Sequence, residues 1–141
     1  MEKIIEKLEK ATHVKKGKNY IVANVSDEII NGPMRGWLCG HFYPKGSDFH
    51  RYDIEICVKN LPVGKKEKIH HHLCSFEFLI VLDGEVDYEI EGDHITLTPG
   101  MFYMLHPGYT EHIVEVRKET TILAVRLPSI PNNKIYVDDK S

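Results

Sequence analysis

Apolar side chains recur three and four residues apart in the first twelve residues of the chain. Ile4, Ile5, Leu8 and Ala11 fall on one side of a helical projection, and charged residues occupy the other side. This pattern predicts a short amphipathic helix over residues 1–12 whose apolar face packs against the rest of the protein.

From residue 20 onward the hydrophobic period shortens to that of β-strands. Strand-like runs at 20–25, 34–43 and 53–61 are separated by Pro and Gly, and the last run alternates clearly, with apolar residues at 54, 56 and 58. Three strands are therefore expected in the first half of the chain, after the helix.

The second half is punctuated at regular intervals. Four glycines share an eight-residue spacing, at Gly84, Gly92, Gly100 and Gly108. Asp83-Gly84 between two apolar runs predicts a two-residue hairpin, because such turns need positive φ. Two last strands are expected at 112–116 and 121–127. Short strands with turns every 8–12 residues predict an all-β antiparallel sandwich or barrel.

Composition narrows the class of protein. A chain of 141 residues fits one domain, and a net charge of −3 gives no basis for a nucleic-acid partner. Three cysteines without paired spacing argue against a secreted disulfide framework. The N-terminus is too charged for a signal peptide, and no apolar run approaches the ~20 residues that span a bilayer. We therefore expect a cytoplasmic protein with no membrane and no nucleic-acid partner.

Candidate metal ligands cluster in one segment. His70 and His72 are two residues apart, so on a strand both imidazoles point to the same face. Glu77 follows on a strand with Leu79 and Val81 on its face, which commits a carboxylate to an apolar interior. A buried carboxylate must pair, protonate or bind a cation. Two histidines and one carboxylate form a recognised set of ligands for first-row metals.

A further histidine is expected from a later strand. His112 shares a strand face with Val114 and Val116, and the face with two valines should point inward. This parity predicts that His112 joins His70, His72 and Glu77 at the metal.

The same residues resemble the cupin superfamily. Gly64, His70, His72, Glu77 and Gly84 match every fixed position of its first signature, G-x5-H-x-H-x4-E-x6-G. By resemblance, the ligands of the family map to the two histidines, Glu77 and a histidine of the second signature. The resemblance implies an antiparallel double-stranded β-helix, or jelly-roll barrel, with a short N-terminal helix. Residues 1–18 are then helix and linker, and 19–141 form one barrel domain with a C-terminal tail.

The second signature, G-x5-P-x-G-x2-H, is matched less well. Gly100 and Gly108 fit, but His106 stands at the first Pro position, Glu111 at the final His position, and His112 comes one residue late. Three alternatives follow. An extra loop residue still lets His112 bind, or Glu111 takes its place, or the site keeps only three protein ligands.

The function expected from this site is metal-dependent. One divalent first-row ion (zinc, iron, manganese or nickel) would bind a small polar molecule in the barrel, and Tyr88 and Arg126 are candidate catalytic residues beside it. A dioxygenase, an isomerase or a sugar- or organic-acid-modifying enzyme fits the resemblance. A non-catalytic binding or sensing module and a metal-stabilised structural barrel are the alternatives. A homodimer is expected, since exposed sheet edges need cover.

Overall fold

A computed structural model describes residues 2–137, and within that range all side chains except those of residues 2–5 and 11. The predicted helix is confirmed as α1, Glu2–Thr12. The remaining elements, in chain order, are β1 His13–Lys16, β2 Ile21–Ala23, α2 Asp27–Ile30, β3 Trp37–Cys39, β4 Glu55–Leu61, β5 His70–His72, β6 Phe76–Ile90, β7 Asp93–Leu97, β8 Phe102–Leu105, β9 Thr110–Leu127 and β10 Lys134–Tyr136.

Two long antiparallel strands organise the barrel. β6 and β9 pair along nearly their whole lengths, from Phe76 opposite Leu127 to Ile90 opposite Glu111. The pairing shifts register around residues 81–88 of β6, where bulges bend both strands. Each long strand therefore contributes one half to each of two facing sheets.

The shorter strands extend these two sheets on either side. One sheet has the order β3-β4-β9-β6-β8, and the other has the order β10-β5-β9-β6-β7. The predicted all-β, antiparallel jelly-roll class is thus confirmed. The segment after Pro128, expected to be a tail, returns to the barrel as β10 and pairs with β5.

The hairpin predicted at Asp83-Gly84 is wrong. β6 runs through Gly84, whose φ is +98°, and the residue lies where the strand bends from one sheet to the other. A Cβ there would lie 2.4 Å from the carbonyl oxygen of Glu119. The hairpin turn is at Glu91-Gly92 instead, where both residues have positive φ and Ile90 pairs with Asp93. The break expected between strands at 112–116 and 121–127 is likewise absent, because β9 runs from Thr110 to Leu127 and only shifts register within this stretch.

Two hydrophobic clusters support the fold. The larger lies between the sheets and includes Leu79, Val86, Ile113 and Val116. The smaller cluster holds the N-terminal region: Leu8, Ile29, Met34, Tyr43 and Phe49. Within residues 2–137, no helix has the length and apolar character needed to cross a membrane.

Candidate metal centre

Two of the predicted ligands lie on β5. His70 and His72 are 1% and 3% exposed, their rings are 5.4 Å apart, and His71 between them is less buried. The prediction that the two imidazoles share the inward face is confirmed by this alternation.

Glu111 supplies the third group at this position. It is 3% exposed, and β9 places it directly opposite His70 on β5. Its Oε1 lies 2.6 Å from His70 Nε2 and 3.9 Å from His72 Nε2. His70, His72 and Glu111 each offer a ligand atom within 4.8 Å of the others, a spacing that suits one metal ion.

The orientation expected for His112 differs in the structure. Glu111 and Ile113 are buried, and His112 between them belongs to the other face of β9. A bulge explains the error, because Tyr88 pairs with Ile113 whereas Asp87 pairs with Glu115, which leaves Val114 as an extra residue. Val116 faces inward but lies beyond this bulge. The alternation of inward and outward residues counted from Val116 therefore does not apply to His112.

The hydrogen bonds of His70 prepare it for a metal. Its Nδ1 lies 2.9 Å from the carbonyl oxygen of Lys68. Donation from Nδ1 leaves Nε2, the atom beside Glu111, as the ligand.

Burial raises the pKa of the Glu111 carboxyl to about 7, against the hydrogen bond with His70 that lowers it. Burial also acts to lower the pKa of His70, but the hydrogen bond and charge of Glu111 outweigh it and hold that pKa above its usual value. A cation bound between the two groups would replace the proton of the His70–Glu111 hydrogen bond.

Two of the three groups have a buried polar atom without a hydrogen bond. The described residues contain four such side-chain atoms: His72 Nε2, Glu111 Oε2, His112 Nδ1 and Ser26 Oγ. His72 Nε2 also lies 3.2 Å from Glu77 Oε2, but that contact lacks hydrogen-bond geometry. An unsatisfied buried polar atom costs about 1–3 kcal/mol. Burial lowers the pKa of His72, which favours the neutral imidazole that binds metals. The residues present therefore fit a divalent ion.

Glu77, also predicted as a ligand, lies beside these three residues and already has hydrogen-bond partners. It is 1% exposed, and it accepts hydrogen bonds from Tyr103 Oη at 2.5 Å and Arg126 Nε at 2.7 Å. His72 Nε2 lies 3.2 Å from its Oε2. Burial would raise the pKa of Glu77, yet His72, Arg126 and Tyr103 hold it well below its usual range, so the carboxylate is ionised.

A cavity of about 60 Å³ opens beside His70 and Glu111 inside the barrel. The two residues proposed as catalytic, Tyr88 and Arg126, both line it. Tyr88 is 2% exposed, and burial raises its pKa well above the usual value. A second pocket, of about 190 Å³, shares Arg126 and Lys134 with the first and is also lined by His72.

Sequence reasoning missed several residues of the cavity, Tyr103 and Lys59 among them. Tyr103 is detectable in principle, because it alternates with Leu105 on the inward face of β8. The sequence did not indicate Lys59, because apolar residues at 54, 56 and 58 favoured the other face of its strand as the inward one.

Comparison with known proteins identifies the family. Residues 57–126 match the family model described as Cupin domain. The chain belongs to the cupin superfamily. Most of the cavity wall of this cupin, from Cys57 to Arg126, lies within the matched segment. A search of curated proteins finds no match.

Solved structures with a similar fold include several cupin proteins. KdgF from Halomonas sp. is 18% identical, with a TM-score of 0.54 over 59% of this chain and 76% of that chain. DMSP lyase DddQ from Ruegeria pomeroyi is 18% identical, with a TM-score of 0.59 over 77% of this chain and 55% of that chain. Oxalate decarboxylase from Bacillus subtilis is 15% identical, with a TM-score of 0.53 over 61% of this chain and 24% of that chain. At these identities the likeness shows the fold alone.

Proposed function

We propose that this cupin is a metal-dependent enzyme that acts on a small polar molecule bound in the barrel. The observation that carries the proposal is the convergence of His70, His72 and Glu111, three buried groups of which two leave an atom without a partner. Two of the similar structures are, by name, a lyase and a decarboxylase. That likeness supports an enzymatic role without selecting a reaction.

The proposed ion is divalent and of the first transition row, with zinc, iron, manganese and nickel all compatible with these ligands. Two imidazoles and one carboxylate leave coordination positions open for a substrate. When bound, such an ion polarises a substrate oxygen or supports oxygen chemistry. Glu111 takes the place that parity had assigned to His112.

Tyr88 and Arg126 have different proposed roles. The raised pKa of Tyr88 keeps its hydroxyl protonated at neutral pH, so it can donate a hydrogen bond into the cavity. Arg126 donates a hydrogen bond to Glu77, and we assign it the role of positioning that carboxylate. Replacing Tyr88 with Phe removes the hydroxyl group and keeps the packing of the ring.

Metal content of purified variants tests the ligand set. We expect His70→Ala and Glu111→Ala to lose the ion, whereas His112→Ala retains it. His71→Ala, from the less buried position of the same strand, is the matched control. Full occupancy in Glu111→Ala, or loss of metal in His112→Ala, would overturn the proposed set.

Turnover then separates an enzyme from a binding module. Protein loaded with iron, manganese, zinc or nickel is screened against small organic acids and sugars, and Tyr88→Phe is compared with the unaltered chain. Turnover that falls in Tyr88→Phe while metal content is unchanged supports the enzyme. Ligand binding without turnover under any metal favours a sensing module.

We also propose that two copies associate through the outer face of β8. Phe102 and Met104 on that strand are 53% and 63% exposed, and Phe102 packs beside Phe78. Among the described strands β8 pairs only with β6, so its other edge is unpaired and lies next to these exposed apolar side chains. Light scattering on the unaltered chain and on Met104→Glu tests this, and a monomeric mass for the unaltered chain at high concentration would exclude it.

A further inference from the structure

An unexpected lysine lines the cavity. Lys59 lies on β4 between Cys57 and Leu61, two residues that are 1% and 3% exposed and belong to the main core. Like them it lines the wall of the cavity that contains His70 and Glu111. A cationic side chain on an apolar barrel face loses hydration, which is costly unless a partner compensates.

No carboxylate of the described chain forms a salt bridge with it. Among residues 2–137, neither Lys59 nor Lys134 forms a salt bridge. Lys59 Nζ instead lies over the Trp37 ring, 5.1 Å from its centre. Burial lowers the pKa of Lys59, and the nearby charges of Arg126, Lys134 and Lys65 lower it further, although Cys57 opposes the shift.

The glutamates of the cavity are engaged elsewhere. Glu77 accepts from Arg126, Glu111 faces His70, and Glu67 accepts from the backbone amide of Ile113 at 3.2 Å. Four cations line the same wall, at Lys59, Lys65, Arg126 and Lys134. A bound divalent ion would add two more positive charges. The wall thus carries four cationic side chains against three carboxylates, and its three lysines have no ion-pair partner among residues 2–137, which favours an anionic ligand.

We infer that the substrate of this site is a small organic anion, and that Lys59 binds its anionic group while another oxygen reaches the metal. The inference rests on the proposed metal centre for the second contact only. Lys134, opposite His72 in the pairing of β10 with β5, lines both pockets and adds positive charge at the entrance. A cavity of about 60 Å³ favours a small ligand.

Calorimetric titration with linear dicarboxylates tests this inference. Oxalate, malonate, succinate and glutarate are compared with their neutral diamides, on protein with measured metal content and on metal-free protein. At least one dicarboxylate should bind, and its diamide should bind about tenfold more weakly or not at all, because a hydrogen bond to a charged group contributes more than a neutral one.

Variants of the lysine complete the test. We expect Lys59→Met to weaken dicarboxylate binding about tenfold or more, and Lys59→Arg to retain most of it. Lys15→Met, on the exposed strand β1, is the matched control. Lys59→Gln replaces Lys59→Met if thermal melting shows that the latter does not fold.

The outcomes separate this inference from the metal centre. Lys59-dependent dicarboxylate binding in a protein that takes up no metal supports the anion site and refutes the proposed function. Three outcomes in a protein that takes up metal would refute the anion site and leave the metal centre standing. These are equal affinity for diacids and diamides, no binding of any diacid, and unchanged diacid affinity in Lys59→Met.

Discussion

Glu77 and Arg126 form an ion pair in the barrel interior, with Arg126 Nε 2.7 Å from Glu77 Oε2. Glu77 has 2% and Arg126 17% of its side chain exposed, and Arg126 also lies over the Trp37 ring. Removing one partner of such a pair leaves an uncompensated buried charge, whereas removing both does not. The pair also fixes Glu77 beside His72, so it links the stability of the barrel to the geometry of the metal centre.

A double-mutant cycle on metal-free protein measures this pair. Arg126→Met should lower the free energy of unfolding by about 3 kcal/mol, because the buried Glu77 loses its arginine partner and keeps only Tyr103 and His72 beside it. The double variant with Glu77→Gln should recover most of that loss. Urea denaturation with a chelator present gives the values. Strictly additive losses would show that the two side chains do not interact.

Asp87 gives a pH-dependent contribution at a site away from the metal. It is 2% exposed, and Thr96 and Arg117 bind its carboxylate at 2.7 and 2.6 Å. Burial raises its pKa, but the hydrogen bonds and the Arg117 charge outweigh burial and lower it overall.

With a lowered pKa in the folded state, this carboxylate stabilises the protein above its unfolded pKa of about 3.9, and the contribution is lost as the pH falls through the folded value. The difference in unfolding free energy between the unaltered chain and Asp87→Asn should therefore be constant near pH 6–7 and shrink below about pH 4. A difference that stays constant or grows on acidification would contradict this account.

At the scale of elements, sequence periodicity succeeded where strands are regular and failed where they bulge. His70 and His72 lie on a short unbroken strand, so their shared face was predictable. The parity of β9 was not, because the extra residue at Val114 reverses the alternation, and nothing in the sequence marks a bulge without glycine. Glu111 was recoverable only from its position in the second cupin signature.

The long strand β6 shows a related difficulty. Asp83-Gly84 satisfies the local requirements of a hairpin turn, but positive φ at a glycine equally suits a bend. The choice is decided by pairing with β9 on both sides of the bend, which is a long-range property. The inward Lys59 was hidden for a similar reason, since which face of β4 points inward depends on its neighbours.

Gly84 offers a test of the bend itself. Its φ of +98° and the 2.6 Å approach of a Cβ to Thr120 Cα both disfavour any side chain. Gly84→Ala should cost about 2 kcal/mol or more. Gly92→Ala, with φ of +84° and nothing within 4 Å of the new Cβ, is the matched control and should cost about 1 kcal/mol. Equal losses in the two variants would show that the contact between β6 and β9 is not restrictive.

At the scale of the molecule, the site joins parts of the chain that are far apart in sequence. β5 brings the two histidines, β9 brings Glu111, and β4 and β10 add the cationic wall, so the cavity forms only when both sheets are assembled. An ion held by β5 and β9 would bind the folded state and not the unfolded chain. Binding of the proposed ion and global folding would therefore be linked.

This linkage predicts the effect of metal on thermal unfolding. At a free metal concentration of 100 times Kd the folded state gains about 2.7 kcal/mol, which raises Tm by roughly 5–10 °C for a domain of this size. The shift should reverse on chelation and disappear in His70→Ala, because that side chain supplies one of the three ligand atoms. His71→Ala should keep the full shift, since its position on β5 is the less buried one. A shift of equal size in His70→Ala would mean that the stabilising ion binds elsewhere on the protein.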